Sequence, residues 1–185
     1  MSGESPADEE LAARARSGDR RAFEVLVGRY KAPLYGFIRR YVGNADDAYD
    51  VLQDTLVASW SALGRYDPSR SFSPWIRTVA MNKCRDFGRR RTARRLVEGL
   101  FSRDSRGDVE QHVSGAEHRS EERLGELDRA IAGLPAKYKE PLLLATLEGL
   151  SHQETAERLR LTPKAVEMRV YRAKRLLESL IRPSV

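Results

Sequence analysis

The sequence predicts an all-α protein built as two small helical domains joined by a flexible linker. Apolar residues recur at three- and four-residue steps over most of the chain and nowhere alternate with period two, so helices are expected and no sheet. Between about Glu98 and Arg119 that period disappears under Gly, Ser, Asp and Arg, the composition of a tether. A chain of 185 residues with 41% hydrophobic and 32% charged side chains fills modest cores and leaves much surface.

In order along the chain, residues 1–7 (MSGESPA) read as a disordered leader, and Leu11, Ala12 and Ala15 supply one face of a short helix that Ser17-Gly18 stops. Asp19 is placed to cap a second helix to about Val42, carrying Phe23, Leu26, Tyr30, Leu34, Phe37, Ile38 and Tyr41, with a bend expected at Pro33. A third helix, about Ala45 to Leu63, is expected to bury Tyr49, Leu52, Leu56, Trp60 and Leu63. A polar loop, Gly64 to Ser71, leads to Ser73-Pro74, a capping hydroxyl followed by proline, which opens a fourth helix through Trp75, Ile76, Val79 and Ala80. The first domain is thus 8–97, the linker 98–119 and the second domain 120–185. There Leu124, Leu127, Ile131 and Leu134 form one face, and Tyr138, Leu142, Leu143, Ala145 and Leu147 the next. Ser151-x-x-Glu154 is a capping box opening a short helix, and Thr162-Pro163 opens a last one to about Ile181, burying Val166, Val170, Ala173, Leu177 and Leu180.

Composition narrows the function. Lys and Arg number 33 against 27 Asp and Glu, a net charge of +6 that suits a polyanionic partner. A single cysteine, Cys84, excludes an internal disulfide, a Cys-based zinc site and a CxxC motif; it reads as a packed thiol, with redox sensing as the alternative. The acidic N-terminus and the short apolar runs point to a soluble intracellular protein. His112, His118 and His152 have no ligand spacing, and neither a phosphate-cradling glycine loop nor a nucleophile set is present, so no metal, cofactor or catalytic residue is assigned.

Three constellations carry chemistry. The last two helices make a helix-turn-helix, whose second helix enters the DNA major groove. From Lys164 to Arg175 that helix holds five basic residues against Glu167 alone, and Lys164, Met168, Tyr171, Arg172 and Arg175 point outward. Arg160 stands in the turn where glycine is usual and a left-handed backbone is often required. Second, from Arg85 to Arg106 eight arginines face three acids, a run that attracts phosphates. Tyr66, Phe72 and Trp75 are candidates to stack on opened bases, Tyr66 foremost because it lies in a polar loop; Trp75 is expected to be half buried. Third, Asp46, Asp47, Asp50 and Asp54 lie on one helix. The helix dipole accounts for Asp46 and Asp47 but poorly for Asp54, and the face that Asp46, Asp50 and Asp54 share with Gln53 and Val57 resembles a docking surface for a basic partner. Asp46-Asp47-Ala48-Tyr49-Asp50 also fits the magnesium-chelating DDxxD pattern of diphosphate chemistry, without the second acidic helix that this chemistry needs.

The order DDAYDVLQDTLVASW, SFSPWIRTVAMNKCRDFGRRR, linker, and LPAKYKEPLLLATLEGLSHQETAERLRLTPKAVEMRVYRAKRLL resembles an extracytoplasmic-function sigma factor of bacterial RNA polymerase. The resemblance implies a non-catalytic, cytoplasmic polymerase subunit held by an anti-sigma factor; a monomer is expected when it is free. Its region 2 would bind core polymerase and melt the −10 element, and its region 4 would bind the −35 element and the polymerase flap. Asp50, Gln53, Asp54 and Val57 would meet the clamp coiled coil of the largest subunit. Tyr66, Asp67, Ser69, Arg70, Phe72 and Asn82 would hold a flipped −10 base, with Arg77, Lys83, Arg85, Arg89 and Arg90 on phosphates. Lys164, Glu167, Met168 and Arg172 would read −35 bases, with Ser151, Arg169, Tyr171 and Arg175 alongside. Many members carry a basic and a small residue where this chain has Glu167 and Met168, so a standard −35 sequence is not implied. The acids of Gly107–Leu127 would place the linker in the positively charged RNA channel. A plain helix-turn-helix regulator, binding duplex DNA without polymerase, is the alternative; it leaves the acidic helix and the arginine-rich helix without a purpose.

Overall fold

The computed structural model describes residues 6–101 and 116–181. Its elements are α1 (Asp8–Arg16), α2 (Arg20–Val42), α3 (Ala45–Ala62), a 3-10 turn (Leu63–Arg65), α4 (Phe72–Phe101), α5 (Ala116–Gly133), α6 (Ala136–Thr146), α7 (His152–Leu159) and α8 (Pro163–Ile181). No strand occurs among the described residues. The helices of both units begin and end closer together in sequence than expected: α4 continues to Phe101 and α5 begins at Ala116. The remainder of the expected linker, and the leader up to Ser5, lie outside the described residues.

Two compact units divide the chain, one built on α1 to α4 and the other on α5 to α8, the segment Arg39–Asn44 grouping with the second. In the first unit, Asp8, Glu9 and Glu10 occupy the first turn of α1, where acids complement the helix dipole. The chain leaves α1 through Gly18 at φ +98°, a left-handed conformation that costs glycine nothing. Asp19 caps α2 as expected, its Oδ1 accepting the Ala22 N–H at 3.1 Å. That bond, and Arg14 at 2.8 Å, hold the Asp19 carboxyl below the usual range. Helix α2 runs through Pro33 as one element.

The face that α3 buries differs from the one its large apolar residues suggest. Ala48, Val51, Leu52, Thr55 and Ser59 are inside, whereas Tyr49 is 51% exposed and Trp60 lies at the surface against Phe23, ring centroids 5.0 Å apart. Small side chains allow the helix to lie close to its neighbours. The two hydroxyls need no outside partner, because Thr55 Oγ1 donates to the Val51 carbonyl and Ser59 Oγ to the Thr55 carbonyl, each at 2.7 Å.

In the second unit α8 packs against α5, α6 and α7, around Leu134, Leu142, Ala156, Val166, Val170 and Ala173, with Tyr138, Ala145, Leu161 and Leu177 at the margin. Leu180, expected inside, is 62% exposed, because it lies beyond the reach of the shorter helices. Leu147 is likewise exposed, one position past the end of α6.

Candidate nucleic-acid and polymerase interfaces

The second unit assembles its helix-turn-helix from local bonds. Ser151 Oγ accepts the Glu154 N–H at 3.2 Å while Glu154 Oε2 accepts the Ser151 N–H at 2.8 Å, closing the capping box. Arg160 adopts φ 55°, ψ 50°, and the Leu161 N–H returns to the Ala156 carbonyl at 2.8 Å, ending α7 in a left-handed cap built on a non-glycine residue. Thr162 Oγ1 then accepts the Ala165 N–H at 3.2 Å and starts α8.

On α8, Lys164, Glu167, Met168, Tyr171, Arg172 and Arg175 are exposed, while Arg169 is half-buried at the flank. Lys164 Nζ and Glu167 Oε2 pair at 2.9 Å, and this cation holds the Glu167 carboxyl below its usual range. Glu167 therefore stays an acceptor. Arg175 and Glu178 pair more loosely, at 3.9 Å. The Arg172 guanidinium near the Tyr138 hydroxyl of α6, together with Lys137, holds the phenol pKa below its usual value. Tyr138 was not among the expected site residues; 34 positions separate it from Arg172, and helical periodicity assigns it only to the core.

In the first unit, α3 presents Asp50, Gln53, Asp54 and Val57 to solvent, Val57 being 67% exposed. Tyr49 extends this face and packs against Tyr35, the rings tilted with centroids 5.1 Å apart. Carboxylates and apolar groups thus share one helix side, an arrangement that offers both charge attraction and desolvated contact to a basic partner.

The loop between the 3-10 turn and α4 corrects an expectation. Tyr66 is 2% exposed and Phe72 fully buried, so neither ring is presented for stacking on a base. Both belong to an aromatic cluster, Tyr66 with Trp75 at 5.2 Å, Phe72 with Trp75 at 5.3 Å and Tyr30 with Phe72 at 5.4 Å. A polar loop had concealed this, because the rings that pack on Tyr66, Phe72 and Trp75, come from α4. The Tyr66 hydroxyl donates back to the Arg70 carbonyl, closing the loop on itself. What the loop does expose is Asp67, Ser69 and Arg70. Asp67 Oδ1 accepts from the Ser69 N–H at 3.0 Å and from its hydroxyl at 2.8 Å, bonds that lower the Asp67 pKa and keep the tip in one shape.

Helix α4 starts at Phe72, one residue before the expected Ser73 cap. The Phe72 N–H is taken by Glu9 Oε1 of α1 at 3.1 Å, and Ser73 Oγ instead accepts from Arg77 Nε at 3.1 Å. Along α4, Trp75 is half-buried as expected, Asn82 and Arg90 are exposed, and Lys83 and Arg85 are half-buried. Arg85 Nη1 approaches Asn82 Oδ1 at 3.5 Å, and exposed Arg89 pairs with Asp86. Cys84 is fully buried. Among the described residues no three His, Cys, Asp or Glu side chains come together as metal ligands, the DDxxD aspartates included, and no helix is long and apolar enough to cross a membrane.

Comparison with known proteins agrees with this geometry. Residues 26–95 match the Sigma-70 region 2 family and residues 124–177 match Sigma-70 region 4. The chain is 38% identical over 181 residues to the RNA polymerase sigma factor CnrH of Cupriavidus metallidurans, covering 95% of this chain and 94% of the relative. It is 29% identical to the ECF RNA polymerase sigma-E factor of Haemophilus influenzae, over 95% of this chain and 96% of that one. Among solved structures, CnrH in complex with the cytosolic domain of CnrY superimposes with a TM-score of 0.68 at 33% identity, covering 95% of this chain and 97% of that one. The sigma factor RpoE of Bartonella quintana, solved with the anti-sigma factor NepR, shares the fold with a TM-score of 0.64 at 22% identity, over 86% of this chain and 96% of that one. With an acidic α3, an arginine-rich α4 and a helix-turn-helix in the order that both family matches require, the chain belongs to the extracytoplasmic-function sigma factors of bacterial RNA polymerase.

Proposed function

We propose that this sigma factor docks on core polymerase through the α3 face of Asp50, Gln53, Asp54 and Val57, and reads promoters with two separate surfaces. The single observation that carries the reading is the exposed α3 face, acidic and apolar together, in a chain whose α4 and α8 are both basic. A duplex-binding regulator has no use for it. Asp67, Ser69 and Arg70 of the loop, with Asn82, form the −10 contact. Tyr66 and Phe72 support that contact from inside. Arg77, Lys83, Arg85, Arg89 and Arg90 lie along α4 for phosphates.

At the −35 element Arg172 reads guanine, and Glu167, held as a carboxylate by Lys164, accepts from a cytosine amine. Met168 and Tyr171 offer apolar contact to a thymine methyl. Arg169 and Arg175 flank the helix, and Ser151 opens α7 where its first turn meets the phosphate backbone. Asp108 and Glu110 of the linker, outside the described residues, line the RNA channel, whereas Glu117, Glu121, Glu122 and Glu126 of the same acidic stretch fall on α5. The protein works in the cytoplasm without cofactor or catalysis, and the likeness to CnrH in its complex with CnrY supports an anti-sigma partner.

The test is multi-round transcription with purified core polymerase on genomic fragments of the source organism. Promoter-dependent transcripts are expected, lost in Asp54→Ala through failed core binding and in Arg172→Ala through failed promoter binding with core binding intact. Transcripts that survive both substitutions would overturn the assignment of these two faces.

A further inference from the structure

Helix α1 grips the loop of the first unit at both ends. Glu9 and Arg16 lie seven residues apart, two turns of helix, and so share one side of α1, about 10 Å from each other along the axis. Glu9 Oε1 accepts the Phe72 N–H at 3.1 Å, where the loop ends and α4 begins. Arg16 Nη1 donates to the Tyr66 carbonyl at 3.5 Å, where the loop begins. One rigid helix thereby touches the backbone at the entry and at the exit of the segment that exposes Asp67, Ser69 and Arg70.

The gripping helix is itself anchored. Leu11, Ala12 and Ala15 are buried, and Asp8 accepts from Arg29 and from the Tyr30 hydroxyl of α2. Burial, followed by the Asp8 bond, pushes the Tyr30 phenol up to about 12, so it remains a donor at any ordinary pH. The Tyr30 ring also packs edge-on against Phe72, so anchor and loop end are joined through side chains as well as backbone. All of α1 precedes residue 26, where the region 2 match begins.

We propose that Glu9 and Arg16 are positioning residues for promoter opening: by fixing the distance between Tyr66 and Phe72 they hold the loop in the shape that captures the unpaired −10 strand. The inference rests on the reading of this loop as the −10 contact. Glu9 acts through the α4 amide and not on DNA.

The full chain is assembled with core polymerase on a promoter found by the transcription assay above, and three readouts are taken: core affinity, closed-complex formation in the cold, and permanganate reactivity of unpaired thymines. Glu9→Ala and Arg16→Ala are expected to lower open-complex yield about tenfold, the size of a lost helix-start bond, with core affinity and closed complex within about twofold of wild type. Glu9→Gln keeps an acceptor oxygen and is expected to recover most of the opening. Arg16, at the exposed end of α1, supplies a variant whose folding is not at risk if Glu9→Ala unfolds. Wild-type opening by both alanine variants, core affinity falling in parallel with opening, or Glu9→Gln failing like Glu9→Ala would each overturn the proposal. If the wild-type protein itself opens no promoter, the reading of the loop fails first and this inference falls with it.

Discussion

The turn between α7 and α8 and the loop between α3 and α4 carry the two proposed DNA contacts, and only the loop is also held by distant parts of the chain. Every bond that shapes the turn spans at most five residues: the Ser151–Glu154 box, the Leu161 return to Ala156 and the Thr162 cap. The loop has local bonds of its own, Tyr66 to Arg70 and Ser69 to Asp67, but it is also anchored from afar, by Arg16 across 50 positions and Glu9 across 63, and by aromatic rings from α2 and α4. A major-groove reader delivers a preformed helix to an intact duplex, for which local capping suffices. A segment that must take an unpaired strand out of a duplex works against stacking energy and needs a rigid foundation.

The largest effect expected from this contrast is in the loop's foundation. Phe72→Ala removes a fully buried ring and is expected to cost about 3–5 kcal/mol. Urea unfolding followed by tryptophan fluorescence isolates it, since both tryptophans, Trp60 and Trp75, lie in the first unit. Unchanged unfolding would mean that the aromatic cluster does not support the loop. Ser151→Ala in the turn is expected to cost about 1 kcal/mol, the value of one cap. Hydrogen exchange should show faster opening of α7 amides with the first unit unaltered; spread of the effect to α3 or α4 would break the contrast.

A gain is expected at Thr155, whose buried Oγ1 has no hydrogen-bond partner among the described residues. Thr155→Val keeps the shape, removes the stranded hydroxyl and should stabilise the second unit by about 1 kcal/mol in thermal unfolding followed by circular dichroism. The smallest effect is on pH dependence. Ser151 holds the Glu154 carboxyl below its ordinary 4.5, so its contribution is complete above that value and is lost as pH falls through the lowered folded pKa. Glu154→Gln should flatten the acid limb of α7 stability, and an unaltered limb would show that other carboxylates set it.

The same division explains what could be read from the chain. Asp19, Ser151, Glu154 and Thr162 announce helix starts because a cap and its donor are sequence neighbours. Arg160 was conspicuous as a non-glycine in a turn, and it does take the left-handed conformation. The family resemblance, carried by segments in order, was legible for the same reason. Tyr66 was not, because its neighbours are Arg16 of α1 and the Phe72 and Trp75 rings of α4. The buried side of α3 was missed because Thr55 and Ser59 look polar in sequence, and only the helix geometry shows their hydroxyls satisfied by the turn before. The linker was expected from Glu98, where the apolar period fades, yet α4 continues to Phe101.

The hydroxyl-lined inner side of α3 bears on how polymerase specificity could be re-engineered. Ala48, Thr55 and Ser59 set the rotational phase of the helix, and with it the compass bearing of Asp50, Asp54 and Val57 on the outside. Enlarging Thr55 by a few carbons would turn the whole proposed docking face without altering one residue on it. Transplanting the outer residues alone into another sigma factor would carry over the letters of the interface but not its heading, so inner and outer residues of α3 must be exchanged as a set.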